Sequence, residues 1–450
     1  MSSLEKIVWH TLAGPRRWLE PWYVAYALLG AVSSGLIPVL LPLMMVAISH
    51  ELETVGYVMG AFNMGALSSP LWGSLAEKKK IFRTVFCGGL VLEAAAMGLF
   101  PFAHSLVFWF PLALLMGAGS SAVATCATLF VVEFHPRDEW TPRIGWLQTF
   151  NGAGQVSGLL LAGMFAAVGY RVGLLAGAAM LVVALLPGML SLKKRAAPAQ
   201  RIALAAATHH RQGLDFAILA RFARVELMGG GLLRHAVFLN VAGFKNLRTL
   251  LPTRFGRFLL SWFFIFLGVA GLFAYFPLFL KSSFGVSPAA TALAYAIAAG
   301  GGVLLYNFAG GWAQRFGDQK IYRLGRMARL SGFVLMLALL FLPRGPWSAG
   351  TALIAFAMIV ISWPVISVTG TELASVLSPM SQGAAQGLNN AANAAGTVAG
   401  TYLAGGLMHF FGYTCIPALG IAGLALSLWF SRNMESTRVN ISDRPETTSR

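Results

Sequence analysis

The stretch Gly73-Ser-Leu-Ala-Glu-Lys-Lys-Lys80 closes one long apolar segment, and Arg83 follows its glycine by ten residues as the next segment opens. Gly310-Gly-Trp-Ala-Gln-Arg-Phe-Gly317, with Lys320 again ten residues after the first glycine, stands in the same place 237 residues later. A second pair of segments repeats the relation. Gly145 to Gly163 lies over Gly387 to Gly405 at an offset of 242, superposing Asn151 on Asn393, Gly154 on Gly396 and Gly158 on Gly400. Two widely separated correspondences at nearly one offset are the mark of an internal duplication. The chain therefore reads as two parallel halves.

Composition gives those halves their solvent. Of 450 residues 57% are hydrophobic and 11% charged, with mean hydropathy +0.69, which no polar-shelled globule can accommodate. A helix crosses the hydrocarbon core with about 20 apolar residues. Lipid-exposed backbone must be satisfied within a helix or a closed barrel. The apolar runs are too long for barrel strands. They fall at 22–48, 54–75, 81–102, 105–132, 143–168, 171–192, 257–280, 287–314, 321–342, 348–377, 383–411 and 413–431. The expected fold is thus an all-α polytopic membrane protein of twelve transmembrane helices, six in each pseudo-symmetric bundle. Its parts are an N-terminal segment 1–21, a first bundle 22–192, a linker 193–256, a second bundle 257–431 and a tail 432–450.

The net charge of +17 follows topology. Placing the N-terminus in the cytoplasm puts all of the 33 basic residues inside except Arg171, Lys281 and Arg344, and makes both termini cytoplasmic. On this assignment Arg315, Lys320, Arg323, Arg326 and Arg329 belong to a cytoplasmic basic cluster. An anionic inner leaflet accounts for such an excess, so a nucleic-acid partner is not expected. The segment before Trp22 carries Glu5, Lys6, Arg16, Arg17 and Glu20 and does not read as a cleavable signal. Cys87, Cys126 and Cys415 sit singly in apolar spans and read as small core residues rather than disulfide or metal ligands.

On these residues the chain resembles the major facilitator superfamily. The loop after the second helix is the family's most specific mark; Gly73, Leu75, Ala76, Glu77 and Lys78 fit its pattern, and Lys80 occupies a position where glycine is expected. In the second copy Gly310, Ala313, Arg315 and Gly317 fit, while Gln314 replaces the acid. The resemblance implies a cytoplasmic gate built from Gly73, Glu77, Lys78, Arg83, Gly310, Gln314, Arg315 and Lys320, with Glu133 and Glu372 as acids that its cations meet. The simpler reading of the same cations is topology alone. It also implies secondary transport by alternating access in a cell (inner) membrane, with a small-molecule substrate, protons as the candidate coupling ion, no cofactor and a monomeric carrier.

Small residues spaced by four, Gly154 and Gly158 on the fifth helix and Gly396 and Gly400 on the eleventh, permit close backbone approach. In the family a glycine-rich fifth helix marks exporters, which leans the expectation towards efflux, although Gln155 stands where such exporters have proline. The arginine that proton-coupled exporters place four residues before a fourth-helix glycine is Ala113 here, ahead of Gly117. Glu93 is the acid at membrane depth in the third helix, and it is the proton-responsive candidate because charge there is expensive to keep. A plain packing role is the competing reading. Candidate cavity residues are Ser34, Thr125, Gln148, Asn151, Trp262, Tyr275, Asn307, Trp363, Asn390 and Asn393, each also explicable as interhelical glue. With no Arg or Lys assigned to membrane depth, a neutral or cationic substrate is expected and an anionic one disfavoured.

The linker holds amphipathic stretches, notably Leu214 to Leu227, suited to lying on the inner leaflet. His209 and His210 have no ligand partners nearby, His135 sits in a short loop, and the glycine-rich stretches lie within helices rather than between strand and helix. No enzymatic constellation or metal site is expected. The alternatives to an exporter are an uptake carrier or facilitator for a sugar-like solute, and a carrier-like protein that moves lipid or senses.

Overall fold

The computed structural model describes residues 19–135, 137–192, 250–343, 345–379 and 382–432. Among them there is no strand. The first half contains α1 (Tyr23–Ser49), α2 (Leu52–Ala66, continued by Ser69–Lys79), α3 (Phe82–Leu99), α4 (Leu106–Phe134), α5 (Arg137–Val168) and α6 (Tyr170–Ser191). The second contains α7 (Arg254–Phe284), α8 (Pro288–Phe316), α9 (Asp318–Phe341), α10 (Pro346–Leu377), α11 (Gln382–Phe411) and α12 (Cys415–Ser431). Nine stretches among the described residues are long and apolar enough to cross a membrane. Nearly all of the 1–21 and 432–450 segments and of the 193–256 linker lies outside the described residues.

The helix ends follow from local chemistry. Thr253 caps α7 by accepting the Gly256 amide at 3.1 Å, and Gly285 ends that helix with φ 70°. Ser287 caps α8 from the Ala290 amide, ahead of Pro288, whose missing N–H is no loss at a first turn. The repeated loops are explained the same way. Lys80 adopts φ 52°, and Gly317, its counterpart 237 residues later, adopts φ 90°. The turn needs left-handed backbone. Glycine takes it freely, whereas lysine gives up about 1–2 kcal/mol to do so.

Within each half, small residues let backbones touch. A Cβ at Gly154 or Gly158 would overlap the carbonyl oxygens of Ala27 and Ala31 in α1. One at Gly396 or Gly400 would overlap those of Phe263 and Leu267 in α7. The fifth and eleventh helices therefore seat on the first helices of their own halves in the same manner. Lipid supplies no hydrophobic drive between helices, so such close packing is what holds them. In α1 the contact coincides with a π-helical segment, Gly30–Leu36, where a Cβ at Gly35 would come within 2.7 Å of Gly158. Cys126 and Cys415 are buried, Cys87 is half-buried, and all three are free thiols.

Candidate functional site

The halves meet at the pole opposite the two repeated basic loops. There α2 lies against α11 and α5 against α8, and α7 touches α1 and α2. Gly56 faces Gly405 closely enough that a Cβ on the first would stand 2.5 Å from the Cα of the second. Tyr275 donates to the Leu52 carbonyl at 2.8 Å, and Asn63 donates to Thr401 at 3.3 Å. Gln155 of α5 lies 3.4 Å from the Tyr295 hydroxyl of α8, and Gly163 abuts Ala289. Tyr275, a cavity candidate by sequence, is therefore a fully buried strut between halves. Gln155, the departure from the exporter pattern, is another.

At the basic pole, Lys80 pairs with Glu133 at 2.8 Å, both partly exposed. Glu20 holds the next cluster together, accepting from Arg143 at 2.7 Å and Trp22 at 2.7 Å and lying 2.7 Å from His135. Burial opposes its charge, but the bonds from His135 and Trp22 and the charges of His135 and Arg143 outweigh it and hold the carboxyl below its ordinary value. His135 and Glu20, residues of the loop and of the N-terminal approach to α1, thus belong together, which spacing in sequence did not suggest. Glu372 is exposed and its carboxyl lies in hydrogen-bond reach of Asp318 at the start of α9. Arg315 and Lys320 are exposed, and Arg83 is half-buried. Gly73 lies against Thr125 and Leu129 of α4. The side chains of Glu77, Lys78, Asn307 and Gln314, and Gly310, are outside the described part.

Glu93 is fully buried in the first half. One carboxyl oxygen accepts from Ser33 at 2.6 Å, Ser120 of α4 donates to the same Ser33 at 3.1 Å, and the second oxygen, Oε2, has no partner. Gly119 makes room for it, since a Cβ there would come within 2.8 Å of the Glu93 amide. Ser33 lies in the π-helical segment of α1, the kind of irregularity that recurs at functional sites. Its neighbour Ser34, a cavity candidate, is half-buried. Among the other candidates, Thr125 bonds Ser69 at 2.7 Å, Gln148 is bonded to Tyr26, and the Asn151 main chain is where α1 presses on α5 at Gly30. Asn390 is exposed, and Asn393 accepts from Thr397 at 3.3 Å.

The second half overturns one expectation. Arg326 and Arg329 do not lie in a cytoplasmic cluster; they are 2% and 1% exposed on the inner face of α9. Arg326 stacks on Tyr322, 4.0 Å from the ring, and Nη1 donates to Ser261, Ser427 and Ser431. Arg329 Nε donates to Ser362 at 2.9 Å and the guanidinium lies 5.5 Å from the Trp363 ring. Trp363 in turn adjoins Trp262 of α7, with centroids 6.1 Å apart. The premise that no cation sits at depth, and with it the argument against anions, fails. Hydropathy windows average over faces, and these arginines occupy the one face of α9 that is turned away from lipid.

Two of the buried ionisable groups, Glu93 and Arg329, are placed alike. Glu93 is eleven residues past the start of α3, and Arg329 is eleven past the start of α9. The third helix of each half thus carries a buried ionisable side chain at the same sequence position, counted from its start, and α9 carries Arg326 as a second.

A bundle of apolar helices with two matching halves, glycine-seated pairs and a contact between the halves defines a polytopic membrane protein. The Major Facilitator Superfamily sequence model matches residues 22–379, and the chain belongs to that family. No curated protein sequence is a significant match. Among solved structures, the nucleoside transporter NupG is similar at TM-score 0.70 and 14% identity, covering 93% of this chain and 99% of that one. A D-xylose–proton symporter is similar at 0.62 and 16%, covering 91% and 96%. A bacterial homologue of the iron transporter ferroportin, in an inward-facing state, is similar at 0.61 and 13%, covering 97% and 100%. At such identities the likeness is one of fold.

Proposed function

We propose that this protein is a secondary carrier that moves a small molecule across a cell (inner) membrane by alternating access, with twelve crossings and both termini in the cytoplasm. The observation that carries the reading is the contact of the halves at the pole opposite the basic loops, where the described residues meet through small residues, the Tyr402 ring beside Tyr57 and Gly60, and a few side-chain bonds: Gly56 on Gly405, Tyr275 on Leu52, Asn63 on Thr401 and Gln155 on Tyr295. Such a contact can part without disturbing the interior of either half. With the basic loops inside, the pole that is closed faces outwards, and rocking of the halves exchanges access to the space between them.

The carrier is proton-coupled through Glu93 and runs as an exporter. Glu93 supports the coupling because its charge state bears directly on Ser33, and Ser33 belongs to the π-helical segment on which α5 is seated. Adding or removing a proton there changes the electrostatic fit of α1, α3 and α4, which is what a coupled carrier needs at the joint of its moving helices. The export direction rests on the glycine-rich α5. Lys80 and Glu133 are the gate pair at the inner pole, and Arg83, Arg315, Lys320 and Glu372 are the further charged members of the gate.

The test is proton movement across proteoliposomes that carry the wild type or Glu93→Gln, challenged with organic cations, neutral amphiphiles, sugars and organic anions. Substrate-triggered proton flux, lost in the variant while the protein stays monodisperse, is the expected result. Substrate flux without proton flux, unchanged by the substitution, returns Glu93 to packing and makes the carrier a facilitator. Accumulation of substrate on the proton-rich side identifies export, and accumulation on the other side identifies uptake.

A further inference from the structure

Arg326 and Arg329 sit one helical turn apart, equally buried, yet their surroundings differ. Arg326 is surrounded by acceptors: three serine hydroxyls and the Ser427 carbonyl. Arg329 has the single Ser362 hydroxyl and the Trp363 ring, and its Nη2 has no partner at all. A guanidinium taken out of water with a donor left over is expensive, and proteins hold such a group only where something else completes it.

The neighbours repeat the deficit. The Tyr322 hydroxyl and the Trp262 Nε1 are also buried without partners, and the two rings stack with centroids 6.3 Å apart. The three donors belong to side chains joined in one run of contacts between α7, α9 and α10: Tyr322 stacks on Trp262, Trp262 adjoins Trp363, and the Arg329 guanidinium lies over the half-buried Trp363 ring. Donors without acceptors, one of them cationic, select an oxyanion. The planar fork of arginine matches a carboxylate or phosphate, and the indole faces suit an apolar or aromatic body.

We infer that the cluster of Arg329, Tyr322, Trp262 and Trp363 binds the anionic group of a small amphipathic organic anion, the molecule the carrier moves. The substrate class rests on the carrier reading above; the binding itself does not. A lipid phosphate is the other source of such a group. Arg329 lies eleven residues from the start of α9, about 16 Å along the helix, which is the depth of half a bilayer core and beyond a headgroup.

The full-length protein in phospholipid-free detergent is titrated by calorimetry with charged and neutral mates: phenylacetate and phenylacetamide, benzenesulfonate and benzenesulfonamide, phenyl phosphate and benzyl alcohol. The expected result is at least a tenfold preference for the anion in one pair or more. In Arg329→Gln the preference falls to near unity, and in Arg329→Lys, which keeps charge without the fork, it lies between. No anion preference in any pair, or a preference that survives Arg329→Gln, overturns the proposal. If Arg329→Gln fails to fold, the wild-type pairs and Tyr322→Phe, expected to weaken the anion several-fold, still decide. Binding of dioleoylphosphatidylglycerol but of no soluble anion makes this a lipid site and overturns it too. Flux of the same anions in proteoliposomes separates the two readings: anion binding without flux defeats the carrier and leaves the site, whereas flux with no preference for charge defeats the site and leaves the carrier.

Discussion

Gly56→Ala wedges the pole at which the halves close. The added Cβ stands 2.5 Å from the Cα of Gly405 and 2.7 Å from the Tyr275 hydroxyl, where ordinary contact begins near 3.4 Å. The halves must therefore separate by about 0.9 Å at this point, because loss of the Tyr275 bond to Leu52 would relieve the overlap with the hydroxyl and leave that with Gly405. Gly405 has no side chain to rotate aside. Overpacking of this kind costs about 1–3 kcal/mol. Gly56 and Gly405 belong to different halves, so the penalty falls on the closed arrangement and leaves the interior of each half as it was. An energy of that size shifts a two-state equilibrium by about 5-fold to 150-fold towards the arrangement in which this pole is open. The assay is the rate at which a membrane-impermeant maleimide labels Asn63→Cys, in a background with Cys87, Cys126 and Cys415 replaced. Asn63 lies at the same seam, bonded to Thr401 across it. With opening and closing fast relative to labelling, the rate should rise by the same factor. Unchanged labelling in a folded, monodisperse Gly56→Ala protein would refute the reasoning, because it would mean that the seam yields without opening.

Gly158→Ala and Gly400→Ala strike at contacts inside a half, against the main chains of Ala31 and Leu267, and should lower thermal stability in detergent by about 1–3 kcal/mol each. Gly300→Ala, which meets nothing within 4 Å in the middle of α8, should leave the melting temperature level or raise it, and a fall there equal to the other two would point to helix propensity misread rather than packing. Glu20 gives the pH dependence. Its carboxyl is held below the ordinary value of 4.5, so the stability it contributes is fully present above about that pH and is lost as pH falls through the lower folded value; Glu20→Gln should be less stable than wild type at neutral pH and the two should converge in acid, as followed by thermal melts between neutral pH and pH 3.

Much of this molecule was legible before any coordinate. Length and apolarity of the runs decide the solvent, since a helix in lipid has no alternative way to satisfy its backbone, and repeats at offsets of 237 and 242 decide the duplication. The glycines at 154, 158, 396 and 400 announce close helix contact by their spacing, and Glu93 announces itself by depth. Even the lysine at position 80 is readable as a departure, because a glycine belongs where the backbone turns left-handed.

What the sequence could not convey is which way a side chain faces and which half it meets. Arg326 and Arg329 look like topology signals in a linear count of charges. Only the rotation of α9 about its own axis, set by its packing on α10 and α12, turns them inwards onto Ser362, Trp363 and Ser427. Tyr275 and Gln155 carry no mark of being struts between halves, because their partners, Leu52 and Tyr295, are 223 and 140 residues away and in a different repeat. Hydropathy and spacing are properties of one helix and survive in the sequence; the facing of a polar atom and the seam between two bundles are properties of pairs of helices, and they exist only once the bundle has closed.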